Sequence, residues 1–486
     1  MKTISTTQIT LSAIAKMLCV AFLIEFTLAQ TSVDAPLEIG IATPFKDHAI
    51  LQQQLALPVW GNTQSDAKVS VAFKGQTKTT IAQKDGSWRV ILDAMDAVRL
   101  KTVNDTPVGE TMTVTCEKDG VKVSKEIKDL VMGDVWFCAG QSNMAGALRT
   151  SKGGHFPQDT LEQANYPALR QFVLGDAAWA VCSPETAPAF KRTAFFFARR
   201  LQQDALVPIG IMAAAVGGSN IDSWLNQEPY AIGKNYSDLV VPWVGYGIRG
   251  AIWYQGESNE KDGRGYEPKL KSLITGWRKA WNQGNFPVHF VQLPGIGESS
   301  LDNPAGGDGR AEIRQAYLET LGLENTGMAV TIDVGAKGEH PPNKYNTGDR
   351  LARSVLQKVY GKKDLSACPL YKSHKIEGSI VRVSFTDDAK NGLMIAKKEG
   401  FLPPVPTPDA ALQWLSVQSK DGTWHWAEGK IDGSELLVSS KDVGQPIAVR
   451  YAYTQHPSGN ILYNKDGMPV GPFSTIGYGP VQESAK

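Results

Sequence analysis

The sequence predicts an α/β fold in which a parallel sheet is covered by helices on both faces and is flanked by a β domain at each end. Strand-like and helix-like stretches alternate between residues 131 and 365, which is typical of a parallel sheet. Before and after this region, apolar and polar residues alternate and Asp-Gly turns separate the runs, as in antiparallel hairpins. A chain of 486 residues is long enough for about three such domains.

The charge balance excludes several classes of partner. The chain has 50 Lys and Arg against 49 Asp and Glu, a formal net charge of +1. Such a balance gives no electrostatic attraction to phosphate backbones or anionic lipid, so we expect no nucleic-acid partner. The sequence leaves the oligomeric state open.

The first 29 residues have the pattern of a secretory signal peptide. Residues 1–16 carry two lysines and no acid, residues 17–28 are apolar except for Glu25, and small residues precede Gln30. The alternative is a membrane anchor, but this run is shorter than the roughly 20 apolar residues that span a bilayer. We therefore expect cleavage after Ala29, a secreted or periplasmic protein, and no membrane association after cleavage.

The N-terminal β domain is predicted over residues 30–130. Val69, Val71 and Phe73 alternate with polar residues, and the turn signal Asp85-Gly86 precedes another strand-like run. The chain returns to this pattern in a C-terminal β domain over residues 366–486, where a second Asp-Gly turn lies between Lys420 and Trp424.

The central α/β domain is predicted over residues 131–365, and its helices have apolar residues at three- and four-residue spacing. The predicted strands are Asp134–Ala139, Pro208–Ala215, Ile248–Tyr254, Val288–Leu293 and Met328–Asp333, and the predicted helices are Thr193–Leu206, Tyr266–Trp281, Arg310–Leu321 and Lys344–Tyr360. Ligands of such sheets bind beyond the carboxyl ends of the strands.

Neither the cysteines nor the known metal-binding motifs indicate a metal site in this sequence. Without the signal peptide four cysteines remain, Cys116, Cys138, Cys182 and Cys368, which are compatible with two disulfides or with free buried thiols. The sequence contains no CxxC, HExxH or EF-hand pattern, so we expect neither a metal nor an organic cofactor.

Ser142 is the candidate nucleophile. It follows the strand Asp134–Ala139 at a strand-to-helix turn, where Gly140 allows the backbone to bend and the N–H groups can face a developing oxyanion. The alternative is that Ser142 only caps a helix. The chain has no GxSxG segment, which argues against an α/β-hydrolase elbow.

The seven histidines narrow the choice of a base. His289 lies inside an apolar strand and is best interpreted as a core residue, whereas His340 lies between a strand end and the next helix, on the same rim as Ser142. Two other strand ends reach this rim, one with Gly217 and Gly218, the other with the polar run that begins at Gln255.

The two blocks Gly-Gln-Ser-Asn-Met at 140–144 and Trp-Tyr-Gln-Gly-Glu-Ser-Asn at 253–259 occur here in a specific order. Further matching segments are 133–136, 217–219 with Trp224, 340–344 and 348–352, and others occur in both β domains. With these blocks the sequence resembles the sialate O-acetylesterases of the SGNH-hydrolase superfamily along nearly its whole mature length. The resemblance implies an SGNH-type three-layer α/β/α core with accessory β domains, and ester hydrolysis on acetylated sugars.

Site roles follow from the resemblance. It implies that Ser142 is the nucleophile and His340 the base, and that the N–H of Ser142 and of Gly217 or Gly218 binds the oxyanion together with the side chain of Gln255. It further implies that Glu257 and Asn259 orient Gln255 and its loop.

The segment before His340 departs from the pattern of the superfamily. Members commonly have an Asp two or three residues before the histidine, where this chain has Lys337 and Gly338. Glu339 and Asp333 are the remaining candidates for the group that fixes the histidine tautomer, and the alternative is a Ser-His dyad.

The predicted function is therefore a secreted carbohydrate O-acetylesterase that hydrolyses acetyl esters on sialic acid or related glycans. Two alternatives stay open. The first is an acetyl-xylan or other polysaccharide deacetylase, because the catalytic blocks do not specify the sugar. The second is a carbohydrate-binding protein with a degenerate active site, because the expected Asp before His340 is missing.

Overall fold

The structure is a computed structural model that describes residues 36–150 and 156–477. The predicted signal peptide, residues 1–29, lies outside the described residues. Residues from Leu37 onward form one unit.

The N-terminal region consists of short strands that pair mostly antiparallel, as predicted. β3 pairs with β1 and β6, and β4 pairs with β5 and β7. The alternating residues Val69, Val71 and Phe73 are buried on one face of β4. These strands are β1 (Gly40–Ile41), β2 (Ile50–Gln52), β3 (Leu57–Asn62), β4 (Lys68–Phe73), β5 (Gln76–Ile81), β6 (Ser87–Leu92) and β7 (Glu110–Lys118).

The longest strand, β8 (Val121–Gly140), joins the N-terminal region to the central sheet. Its first half pairs antiparallel with β7, and its middle pairs parallel with β2. The predicted domain boundary at 130/131 lies inside this strand, and the division into three domains stays a prediction.

The central sheet has the strand order β10-β9-β11-β8-β12-β13-β14, and every pair is parallel except β9 with β10. The predicted alternation of parallel strands and helices is therefore confirmed. The elements are α1 (Ser142–Ala145), β9 (Tyr166–Val173), β10 (Ala180–Cys182), α2 (Arg192–Ala205), β11 (Ile209–Ala215), β12 (Gly250–Tyr254), α3 (Tyr266–Trp281), β13 (Val288–Val291), α4 (Gly309–Thr320), β14 (Thr326–Ala329) and α5 (Lys344–Lys358).

Two details of the central sheet differ from the prediction. β9 was not predicted, because Arg170 and Gln171 interrupt its apolar run; both are buried, and Arg170 donates to the carbonyls of His48 and Asp129. The last parallel strand ends at Ala329 rather than at Asp333, and Ile332–Val334 form a 3₁₀ turn.

Helices pack on both faces of β8. Successive strand residues point to opposite faces, so Trp136 contacts Phe197 of α2 with ring centroids 5.2 Å apart, whereas Phe137 contacts Trp277 of α3 at 5.3 Å. α5 packs beside α2, and α4 packs beside α3.

The C-terminal region forms three antiparallel sheets, with the orders β15-β16-β22-β21, β18-β17-β24 and β20-β19-β23-β25. The predicted β character of this region is confirmed. Its strands are β15 (Tyr371–Glu377), β16 (Ile380–Phe385), β17 (Leu393–Lys397), β18 (Val405–Pro406), β19 (Leu415–Gln418), β20 (Trp424–Trp426), β21 (Glu428–Asp432), β22 (Glu435–Ser439), β23 (Ala448–Tyr451), β24 (Ile461–Asn464) and β25 (Phe473–Ser474).

Side-chain hydrogen bonds join this C-terminal region to the rim of the central sheet. The Arg314 guanidinium on α4 donates to the carbonyl of Thr454 at 2.6 Å and to that of Gln455 at 2.9 Å. Asn343, which caps α5, donates from Nδ2 to the carbonyl of Gly400 at 2.8 Å.

Cys116, Cys138, Cys182 and Cys368 are buried and unpaired, so of the two possibilities the free thiols are observed. Within residues 36–150 and 156–477, no helix has the length and hydropathy needed to cross a bilayer.

His289 is a buried core residue, as predicted, and makes stability depend on pH. Its Nδ1 lies 2.9 Å from Ser354 Oγ, and burial lowers its pKa to about 3.

Between about pH 6.5 and pH 3, His289 is protonated in the unfolded chain but neutral in the native state. Each pH unit of acidification in this range therefore lowers the unfolding free energy by up to about 1.4 kcal/mol. Urea denaturation at both pH values should show that the unfolding free energy decreases less between pH 7.5 and pH 5 in His289→Gln than in wild type. Equal losses would contradict this role for His289.

Candidate active site

Three loops leave the central sheet at the same height. Gly140, the last residue of β8, pairs with Ala215 at the end of β11 and with Tyr254 at the end of β12. The residues that follow these ends therefore lie together at one edge of the sheet, beside the strand where the order reverses. The predicted rim is the place where these loops meet.

Gly140 allows β8 and β12 to approach closely at this edge. Its φ is +147°, and a Cβ there would lie 2.1 Å from the Tyr254 carbonyl oxygen. The next residue, Gln141, is held by its own N–H, which donates to the Tyr254 carbonyl, and by its Oε1, which accepts from the N–H of Gly256 and Ser258. These bonds place Ser142 at the start of the one-turn helix α1.

Ser142 and His340 meet at this rim. His340 Nε2 lies 2.8 Å from Ser142 Oγ, although 198 residues separate them in the chain. The N-cap position of α1 belongs to Gln141, not to Ser142. The alternative in which Ser142 only caps a helix is therefore wrong.

Backbone donors lie beside Ser142. A Cβ on Gly217 would lie 3.8 Å from Ser142 Cβ, so the loop after β11 passes directly next to this side chain. In the part of the chain that the structure describes, the N–H groups of Ser142, Gly217 and Gly218 have no hydrogen-bond acceptor. They are available to bind an anionic oxygen.

The oxyanion role predicted for the Gln255 side chain does not fit the structure. Gln255 is fully buried, and its Nε2 donates to the Ser219 carbonyl at 3.1 Å and to Asn259 Oδ1 at 2.8 Å. Its Oε1 accepts from the Tyr266 hydroxyl at 2.7 Å. Because both amide hydrogens are engaged inside the protein, Gln255 supports the loop instead of facing Ser142.

Asn259 contacts Gln255, as predicted, whereas Glu257 does not. Asn259 Oδ1 accepts from Gln255 and from the N–H of Ile221. The buried Glu257 instead accepts from Nδ2 of Asn143, the residue after Ser142. No local pattern predicts this contact, because 114 residues separate Asn143 and Glu257 in the chain.

Neither predicted carboxylate contacts the ring of His340. Asp333 is buried in a bidentate ion pair with Arg350 on α5, with both N···O distances 2.6 Å, and also accepts from the Tyr463 hydroxyl at 3.1 Å. Glu339 is exposed, and it is its backbone carbonyl that accepts from Asn143 Nδ2, at 3.0 Å. Among the described residues, nothing lies in hydrogen-bonding position to His340 Nδ1, so the geometry is that of a Ser-His dyad.

Lys344 is a site residue that sequence reasoning missed. Its Nζ is buried and donates to the Pro341 carbonyl at 2.5 Å. Burial lowers the pKa of Lys344 to about 7, and the negative charge of Glu257 acts against this decrease. Burial is also the main cause of the raised pKa of Glu257.

Comparison with known proteins identifies the family. Residues 132–357 match the family described as carbohydrate esterase, sialic acid-specific acetylesterase. The matched range covers 226 of the 486 residues of the chain. The range holds both Ser142 and His340.

The similarity to full-length relatives extends beyond the family range. A sialate O-acetylesterase from Homo sapiens is 25% identical, and the match covers 89% of this chain and 91% of the relative. One from Mus musculus is 22% identical, with 92% and 96% covered. The crystal structure of a carbohydrate acetylesterase from Xanthomonas citri superposes with a TM-score of 0.76 and 28% identity, and the match covers 90% of this chain and 99% of that chain. The predicted family is confirmed: the chain is a sialate O-acetylesterase-like carbohydrate esterase.

Breaking the ion pair between Asp333 and Arg350 should lower stability without lowering the catalytic rate. Asp333→Asn leaves a buried guanidinium without its counterion, which should lower the unfolding free energy by about 3–5 kcal/mol. The kcat of the folded fraction should stay within about threefold of wild type, because Asp333 does not contact His340. Thermal unfolding and kcat per folded enzyme measure the two effects. A fall in kcat of about 10⁴-fold would instead make Asp333 the third catalytic group.

Proposed function

We propose that this esterase removes acetyl groups from glycan hydroxyls with Ser142 as nucleophile and His340 as general base. The observation that carries the proposal is the 2.8 Å contact between Ser142 Oγ and His340 Nε2, beside N–H groups that have no acceptor within the described residues. Nucleophile and base in hydrogen-bond reach are what acyl transfer requires.

The proposed reaction has two halves. Ser142 Oγ attacks the acetyl carbonyl carbon while His340 Nε2 takes the hydroxyl proton. The N–H groups of Ser142 and of Gly217 or Gly218 bind the oxyanion. The sugar oxygen then leaves with the proton from His340, and an acetyl-Ser142 ester remains. In the second half, water gives its proton to His340 and attacks this ester, and acetate leaves as Ser142 regains its proton.

The proposed architecture is an SGNH-type three-layer α/β/α core with accessory β domains. The support is that helices pack on both faces of β8, that the rim loops follow β8, β11 and β12, and that antiparallel sheets precede and follow this core.

For the substrate we propose O-acetylated sialic acid. The sialic acid specificity of the matching family and the names of the sialate O-acetylesterase relatives support this class of sugar. Acetylated xylan is the alternative that the substrate panel below tests.

Ser142→Ala should abolish turnover, because the acyl-enzyme cannot form. We expect acetate release to fall by about 10⁴-fold or more. Release should be measured from p-nitrophenyl acetate, O-acetylated sialic acid and acetylated xylan. The control is Ser124→Ala, an exposed serine near the other end of the same strand.

Equal rates for wild type and Ser142→Ala would reject Ser142 as the nucleophile. Higher kcat/KM on acetylated xylan than on O-acetylated sialic acid would reject the proposed sugar. Glycan binding without turnover in the wild type would support the alternative of a degenerate active site.

We further propose that the protein is exported. The support is the order of basic, apolar and small residues in positions 1–29. Protein recovered from the medium or periplasm should begin at Gln30, as measured by intact mass. Export without loss of residues 1–29 would contradict the proposed cleavage site.

A further inference from the structure

The backbone on both sides of His340 is held by buried side chains. Asn143 Nδ2 donates to the carbonyl of Glu339 at 3.0 Å, and Lys344 Nζ donates to the carbonyl of Pro341 at 2.5 Å. The two accepting residues are the immediate neighbours of His340. The segment that carries the base is therefore anchored once from the nucleophile turn and once from α5.

Glu257 holds the first of the two anchors, Asn143. Its Oε1 accepts from the same Asn143 Nδ2 that binds the Glu339 carbonyl, and its charge acts on Lys344. Both Glu257 and Lys344 are nearly fully buried. The other charges that act on this pair come from Arg310, toward Glu257, and from Arg192, toward Lys344.

The cluster is not optimal for stability alone. Asn143 Oδ1 and Glu257 Oε2 are buried and have no hydrogen-bond partner among the residues that the structure describes. Unpaired buried polar atoms are destabilising, and buried ion pairs can often be replaced by apolar residues of similar volume without loss of stability. A role beyond packing accounts for keeping a carboxylate, an amide and an amine at this place.

We propose that Glu257, acting through Asn143, is the positioning group for His340, with Lys344 as the second anchor, so that buried side chains constrain the backbone of the base rather than its ring. This inference rests on the proposed function, because it assumes that His340 is the base. It accounts for a dyad in which no described residue is within hydrogen-bonding distance of Nδ1. A misplacement of about 1 Å between nucleophile and base can cost about 10²-fold in rate.

Asn143→Ala tests the proposal, because it removes the anchor on Glu339 and leaves every charge in place. We expect kcat to fall by about 10- to 100-fold with KM within about threefold, since the lost alignment acts in the transition state. Glu257→Gln keeps an oxygen that can accept from Asn143, so its kcat should fall less than that of Glu257→Ala. Lys344→Met removes the second anchor. If Asn143→Ala does not fold, this variant replaces it in the test, with the same expected fall in kcat.

A second readout does not depend on the glycan. Covalent labelling of Ser142 by a fluorophosphonate probe also needs the aligned Ser-His pair, so its rate should fall in proportion to kcat. The matched control is Thr193→Val, which removes a 2.9 Å hydrogen bond to the Asn143 carbonyl but no bond to the His340 segment. Circular dichroism and thermal unfolding of each variant show whether the fold is retained.

The outcomes separate this inference from the proposed function. Absence of labelling in the wild type, or equal labelling of Ser142→Ala, would overturn the proposed function. Normal Ser142-dependent labelling with Asn143→Ala within twofold of wild type would overturn only the positioning role. Equal decreases of the labelling rate in Thr193→Val and Asn143→Ala would also overturn the positioning role. The effect would then come from any disturbance of the turn that carries Ser142 and Asn143.

Discussion

The hydrogen-bond register of β8 with β11 and β12 is the constraint on which the site depends. Gly140 lies opposite both Ala215 and Tyr254, so the three loops begin at one height. The approach of the Tyr254 carbonyl leaves no room for a side chain at Gly140. Since side chains alternate along a strand, a shift of one residue would exchange the faces of Trp136 and Phe137 as well as move Ser142. The aromatic packing of α2 and α3 therefore stabilises the same register that places the nucleophile.

The two buried carboxylates near the site have different tasks. Asp333 holds α5 to the end of β14 through the bidentate pair with Arg350, whereas Glu257 holds the nucleophile turn through Asn143. The charge of Asp333 is paired with that of Arg350, whereas one oxygen of Glu257 accepts a hydrogen bond from the neutral amide of Asn143. Neither forms a hydrogen bond with the ring of His340, for which the hydrogen bond found among residues 36–150 and 156–477 is the one between Nε2 and Ser142 Oγ.

The antiparallel regions contribute to the site through their contacts with the central sheet. The N-terminal region is continuous with it, because β8 pairs first with β7 and then with the parallel strands. The C-terminal region supports the segment after His340, where Gly400 accepts from Asn343. It also supports α4 through the bonds of Arg314 to Thr454 and Gln455. The segment from Glu339 to Asn343 is thus held by Asn143, by Lys344 on α5 and by the C-terminal region.

The sequence by itself predicted the local elements and the meeting of Ser142 with His340. Helical and strand periodicity are properties of neighbouring residues, so α2 to α5 and most parallel strands could be predicted, and strand ends placed Ser142 and His340 on one rim. Tertiary structure alone decided the partners of the polar residues: Asp333 with Arg350, Glu257 with Asn143, and Gln255 with Ser219 and Asn259. The same holds for β9, whose buried Arg170 is satisfied by distant carbonyls. Hydrogen bonds act over about 3 Å, and the groups that they join here are mostly tens to hundreds of residues apart in the chain, so no local pattern specifies them.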